Sequence, residues 1–173
     1  MLKIFTTQLA GLFQSIATKE ELLEDAARLL SQALIGEGTL YIYGDDEMAT
    51  VVVEALYGQD RLDQTASLIV NDSMAELDSV DRVLLVARKA SDERVLDYAQ
   101  KLYDQQIPFV CIVAEEDSAP LGTLADIVID LGVRNGLVPT DTGERVGYPA
   151  SITALYCYFA LALLMREMLE ELE

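Results

Sequence analysis

The sequence predicts an α/β fold: a three-layer α-β-α sandwich of flavodoxin-like type, built on a five-stranded parallel sheet in a single domain over residues 1–173. Three observations predict it. Several short runs are apolar throughout instead of alternating, the pattern of strands covered on both faces. Segments of helical period lie among those runs, as a parallel sheet requires. Finally, 173 residues with 51% hydrophobic content and four prolines make one full core. A chain of this size buries about 70% of its unfolded surface and needs no staples.

The elements follow in order. Residues 1–36 read as two leading helices. Leu9, Leu12, Phe13 and Ile16 share a face at helical spacing. Thr18 with Glu21 forms a capping-box pattern, and the helix it opens carries Leu22, Leu23, Ala26, Leu29, Leu30 and Ala33 up to Gly36 and Gly38. The α/β core, residues 39–131, begins with the strand Thr39–Tyr43, which Gly44 ends. A helix runs from about Glu47 to Tyr57. The remaining strand-length runs are Ser67–Val70, Arg82–Ala87, Phe109–Val113 and Asp126–Leu131. Between the second and third of these lies a helix from about Ser91 to Gln105. Ser91 suits its cap, and Asp92 and Glu93 suit the positive end of its dipole. A long loop, residues 132–149, then leads to a final helix from about Ala150 to Glu173. That helix is apolar on all sides between Leu155 and Met165, which implies burial in the core or in a subunit contact. With the first helix it offers more apolar surface than one sheet face needs, so a homodimer or higher homo-oligomer is expected.

Composition removes whole classes of function. Thirty Asp and Glu against twelve Lys and Arg give a net charge of −18, which repels a phosphate backbone or an anionic membrane surface. Neither nucleic acid nor membrane is an expected partner. An anionic metabolite remains, provided a local site overrides the global field. There is no histidine, so Ser-His and Cys-His triads and histidine metal ligands are excluded. Cys111 and Cys157 sit in apolar runs, as reduced thiols of a cytoplasmic protein do. No signal peptide is visible, and the uncharged stretch Tyr148–Met165 falls short of the roughly 20 apolar residues of a span. No cofactor and no metal are expected.

In open parallel sheets ligands bind beyond the carboxyl ends of the strands, where strand order reverses. Four loops meet that rule: Gly44–Glu47, Arg88–Ser91, Glu115–Ala119 and Gly132–Pro149. In the first, Asp45, Asp46 and Glu47 suit Mg²⁺, but a solvated acidic turn before a helix N-terminus is the plainer reading. Phospho-accepting receiver domains share an aspartate pair there, but require an aspartate after the third strand and a lysine after the last. Here those places read Val86-Ala87-Arg88 and Leu131-Gly132-Val133, so that reading fails. In the second loop Arg88 and Lys89 precede a helix start, whose N–H groups and dipole favour an anion; pairing with Asp45 and Asp46 is the plainer alternative. In the fourth, Thr140, Thr142, Arg134 and Arg145, with Ser151 and Thr153 beyond, offer hydroxyl and guanidinium contacts to a phosphate. A loop of this length is either functional or a mobile surface segment.

The arrangement resembles the sugar-isomerase (SIS) domain, the fold of phosphoheptose isomerase and of many phosphosugar-binding regulators. The likeness covers nearly the whole chain. Ala125-Asp126 before the last strand and Arg145-Val146-Gly147-Tyr148-Pro149-Ala150-Ser151-Ile152 before the last helix carry it most strongly, and they are most similar to a small group from Bacillus-like Firmicutes. The resemblance implies a phosphorylated sugar as ligand and aldose–ketose isomerisation as chemistry. The chain departs from the family at the site. The phosphate loop Ser-x-Ser-Gly-x-Thr has become Ala87-Arg88-Lys89-Ala90-Ser91-Asp92, and the glycine-rich loop that approaches the sugar has become Gly44-Asp45-Asp46-Glu47. The family's catalytic glutamate falls near Ala55, one place from Glu54, about 100° away around a helix. The carboxylates left as bases are Glu47, Glu54 and Glu144, with Lys89 or Arg145 to stabilise an enediolate. Three functions therefore stand: an isomerase working without histidine, a non-catalytic binding or regulatory module with an anion pocket, and a scaffold without ligand.

Overall fold

The computed structural model describes residues 1–118 and 120–172. Ala119, expected in the third candidate loop, and Glu173, the expected end of the last helix, lie outside the described residues. Five apolar strands make the central sheet: β1 (Leu40–Gly44), β2 (Thr65–Ser67), β5 (Arg82–Lys89), β6 (Phe109–Glu115) and β7 (Ile127–Asp130). Their order is β2-β1-β5-β6-β7, with every neighbouring pair parallel. This is the flavodoxin-like order expected, and it sets the reversal point between β1 and β5.

Strand alternation divides the core in two. Leu40, Ile42, Leu84, Val86, Val110 and Ile112 face one layer, formed by α2 (Glu20–Ile35), α3 (Ala49–Tyr57) and α6 (Ala150–Glu170). Val83, Leu85, Ala87, Cys111 and Val113 face the other, where α4 (Glu93–Asp104) and the short α5 (Pro120–Leu124) lie. The crossover from β2 to β5 contains no helix. A hairpin of β3 (Ile69–Val70) and β4 (Ser73–Met74) covers that position, turning through Asn71 and Asp72, both at positive φ. The run Ser67–Val70 is therefore not one strand: the sheet edge ends at Ser67, and Leu68 turns into the core, fully buried. On the α6 side, α1 (Leu2–Ala17) packs more loosely, burying only Ile16 completely and stacking Phe13 on Tyr156.

Three local expectations are corrected. The Thr18–Glu21 capping box does not form: Lys19 is the N-cap of α2, without a side-chain cap bond, and the Thr18 hydroxyl turns back to the Ser15 carbonyl. Ser91 does not cap α4. Asp92 does, accepting the N–H groups of Arg94 and Val95. The segment 132–149 is not a plain loop, since β8 (Val138–Pro139) pairs antiparallel with β9 (Arg145–Val146). The final helix also exceeds the expectation, being long and apolar enough, by length and composition, to cross a bilayer. A third of its most apolar stretch is buried within the fold, where Cys157, Leu161 and Met165 join the core.

Candidate functional site

At the carboxyl end of the sheet, β1 closes with Gly44, over which the Met48 carbonyl sits so near that any Cβ would collide with it. The chain then turns through the 3₁₀ segment Asp46–Met48 into α3. Gly44 thus makes a tight backbone turn possible at the reversal point. The three carboxylates that follow it point to different partners. Asp45 is 7% exposed. It accepts a hydrogen bond from the Tyr43 hydroxyl at 2.6 Å and from the Arg94 guanidinium at 3.0 Å. Glu47 accepts both arms of Arg88, and Asp46 lies on the surface 3.9 Å from the same guanidinium. No group of three metal-ligating side chains converges among the described residues.

The two adjacent cations separate. Arg88 turns towards Glu47, whereas Lys89 lies opposite Glu115 in the strand register and 3.9 Å from its carboxylate. Neither takes Asp45, which belongs to Arg94, a residue the sequence reading passed over because it lies inside an ordinary helical pattern. Arg134 joins Glu115 at 3.1 Å and Asp130 at 3.3 Å.

Ser91 holds the most site-like contact. Its backbone N–H and its hydroxyl both donate to the carboxylate of Asp117, at 2.9 and 2.5 Å. These bonds hold the Asp117 carboxyl below its ordinary range, and the charge of Lys89 acts in the same direction. An anion is therefore already seated beside the N-terminus of α4, where donors and dipole favour one. The cleft beside it, about 420 Å³, is lined by Asp45, Asp46, Asp92, Glu93 and Arg94.

Two carboxylates in that cleft are driven apart. Burial pushes Asp92 up, and the neighbouring Asp45 adds to the effect. Burial would also raise Asp45, but hydrogen bonds from Tyr43 and Asp92 and the charge of Arg94 outweigh it and bring Asp45 down. Neighbouring carboxylates compete for charge in this way. Glu47 is lowered by its hydrogen bonds from Arg88.

The other expected site residues lie elsewhere. Glu54 folds back over Gly58 at the end of α3. Thr140 and Thr142 bond each other at 2.9 Å at the tip of the β8–β9 hairpin, where Thr140 also holds the backbone of the exposed Glu144. Arg145 ties the carbonyls of Gly136 and Leu137. Ser151 stands in the first turn of α6. No hydrogen bond or ion pair among the described residues joins these groups to Ser91 or Arg88. Tyr148, not singled out from sequence, does approach: burial and then Glu115 raise its hydroxyl, with Arg88 and Glu47 also within electrostatic reach.

The family model described as "Domain of unknown function (DUF2529)" matches residues 1–169. The chain belongs to this DUF2529 family. A relative in Bacillus subtilis strain 168, the protein YwjG, is 38% identical over 173 residues, covering 99% of each chain. Among solved structures, the Vibrio vulnificus NanR protein complexed with ManNAc-6P superposes with a TM-score of 0.72 at 17% identity. That match takes in 98% of this chain and 63% of the NanR chain, so the DUF2529 chain spans less than two thirds of it. The MJ1247 protein of Methanococcus jannaschii, whose structure was taken to infer a 3-hexulose-6-phosphate isomerase, gives a TM-score of 0.63 at 14% identity, over 96% and 90% of the two chains. The structural neighbours are SIS-domain, phosphosugar-isomerase-like proteins, and at these identities they establish that the DUF2529 chain shares their fold.

Proposed function

We propose that this DUF2529 protein binds a phosphorylated sugar at the reversal-point cleft, with the phosphate at Ser91 and Lys89, and works as a binding or regulatory module. The Ser91–Asp117 contact carries the reading. A doubly hydrogen-bonded carboxylate at a helix start marks a locus that prefers an anion, within a chain of net charge −18. The fold's neighbours supply the ligand class, since NanR was solved with ManNAc-6P; the likeness to phosphoheptose isomerase extends the candidates to heptose phosphates. Of the three expected bases, Glu47 is clamped by Arg88, Glu54 lies over Gly58, and Glu144 is exposed on the hairpin. None stands in position to move a proton beside Ser91.

One observation favours the isomerase as a second reading. Asp92 and Asp45 are a carboxylate pair with separated proton affinities, the arrangement that assigns an acid and a base in one site. In that reading Asp45, Asp92 and Arg94, which line the same cleft, are the groups that would move the proton and stabilise the enediolate.

The protein further pairs with a second copy and resides in the cytoplasm. Ile152, Phe159 and Leu163, at 41%, 43% and 61% exposure, stand at steps of seven and four residues along α6, which puts them on one apolar face open to a second helix. No charged residue occurs from Ala150 to Met165, so two strongly acidic chains meet there with no like charges directly opposed.

A thermal-shift screen against heptose, hexosamine and pentose phosphates tests the central reading. Ligand at 100 times its dissociation constant adds about 2.7 kcal/mol. A raised melting temperature that Ser91→Ala and Lys89→Ala abolish supports binding at this place. No shift with any compound at millimolar concentration overturns it in favour of a scaffold. Exchange of the sugar C2 proton with D₂O, lost in Asp45→Asn, separates the isomerase from the binding module.

A further inference from the structure

We infer that Asp117 is an internal competitor for the Ser91 seat, an autoinhibitory contact that an incoming phosphate must displace. The inference rests on the proposed binding of a phosphorylated ligand at Ser91 and adds how that site is controlled.

Glu115, Glu116 and Asp117 are three consecutive acidic residues where β6 leaves the sheet. Their fates differ: Glu115 pairs with Lys89 and Arg134, and Glu116 is exposed. Asp117 alone reaches the start of α4. It consumes both donors of Ser91, the backbone N–H at 2.9 Å and the hydroxyl at 2.5 Å. A phosphate oxygen needs those same donors, so the two anions exclude each other. Their charges also repel, and the hydroxyl bond is short enough to be charge-assisted. Asp117 is otherwise solvent-exposed, so leaving the seat exposes no apolar surface. The contact therefore acts as a local latch: ligand affinity is reduced by the fraction of time the seat is closed. Ligand binding then releases the Asp117 carboxylate, while Glu115 stays in β6, and so changes the charge presented on the surface beside α4, the readout a regulatory module requires.

The test measures inorganic phosphate and glucose 6-phosphate binding by calorimetry to the full chain, to Asp117→Asn, to Asp117→Asn/Ser91→Ala and to Glu116→Gln. The expected result is about tenfold tighter binding to Asp117→Asn, the factor for a seat closed nine-tenths of the time. The gain should be absent in the double variant and should not appear in Glu116→Gln, which removes the same charge one residue away. Equal or weaker binding to Asp117→Asn, with the unaltered chain still binding, overturns the latch and leaves the phosphosugar reading intact. An equal gain in Glu116→Gln also overturns it, because net charge alone then accounts for the effect. No binding to any of the four proteins overturns both.

Discussion

Arg88 closes on Glu47 through two parallel hydrogen bonds, Nε to Oε1 at 2.8 Å and Nη2 to Oε2 at 2.5 Å. The pair joins the end of β5 to the turn before α3, across the point where strand order reverses. It also occupies the guanidinium that adjacency in sequence groups with Lys89 as one anion site.

Being half exposed, this pair contributes modestly to stability. Arg88→Ala and Glu47→Gln are each expected to cost about 0.5–1 kcal/mol in urea unfolding at pH 7. The folded carboxyl of Glu47 lies below its ordinary 4.5, so its contribution is present above about that pH and is lost as pH falls through the depressed value. Between pH 7 and 3, the unaltered chain should lose more stability than Glu47→Gln. Parallel losses would show that the pair is not formed in solution.

Asp92 has two opposing roles. As N-cap it accepts two N–H groups, yet it crowds Asp45. Its folded carboxyl lies above the ordinary 3.8, so its favourable contribution holds below that pH and disappears as pH rises through the folded value. Asp92→Asn keeps the cap and removes the repulsion; at pH 7 it is expected to be neutral or stabilising. Asp92→Ala should cost about 1 kcal/mol. Equal losses in the two variants would contradict the repulsion between Asp92 and Asp45.

The sheet was legible because its strands are apolar on both faces, so the runs at Thr39–Tyr43, Arg82–Ala87 and Phe109–Val113 needed no tertiary information. The edge was harder. Thr65–Ser67 is short and half-buried, and the buried Leu68 beyond it imitates a continuing strand. Cap identities failed where two residues compete. Ser91 and Asp92 are both good caps, and Asp117, 26 residues away, decides which one serves. The same distance hid the site. The reversal-point rule depends on topology alone, and it selected the loops that hold Asp45, Glu47, Arg88, Ser91, Asp117 and Tyr148; that Asp117 meets Ser91, that Tyr148 approaches Arg88 and that Arg94 takes Asp45 emerges only through the fold.

Cys111 and Cys157 are buried, and burial pushes both thiols up, Cys157 to about 12. Neither should react with a thiol reagent at pH 8 until the chain is unfolded in urea, when both should react. Rapid labelling of the native protein would mean that the core opens there.

For the α6 seam, Leu163→Glu places a charge at its most exposed apolar position. Light scattering on a sizing column should show a dimer for the unaltered chain and a monomer for this variant. A monomer in both cases would contradict the paired state.

The most direct test of the account is an amide-resolved NMR titration with the phosphosugar that gives the largest thermal shift, N-acetylmannosamine 6-phosphate and sedoheptulose 7-phosphate included. The account predicts that the largest perturbations fall on Ser91, the first turn of α4 and Asp117, and that they saturate. Saturable perturbations confined to another surface, such as the groove of about 620 Å³ between α1 and residues 132–137, would contradict it, as would none at millimolar ligand.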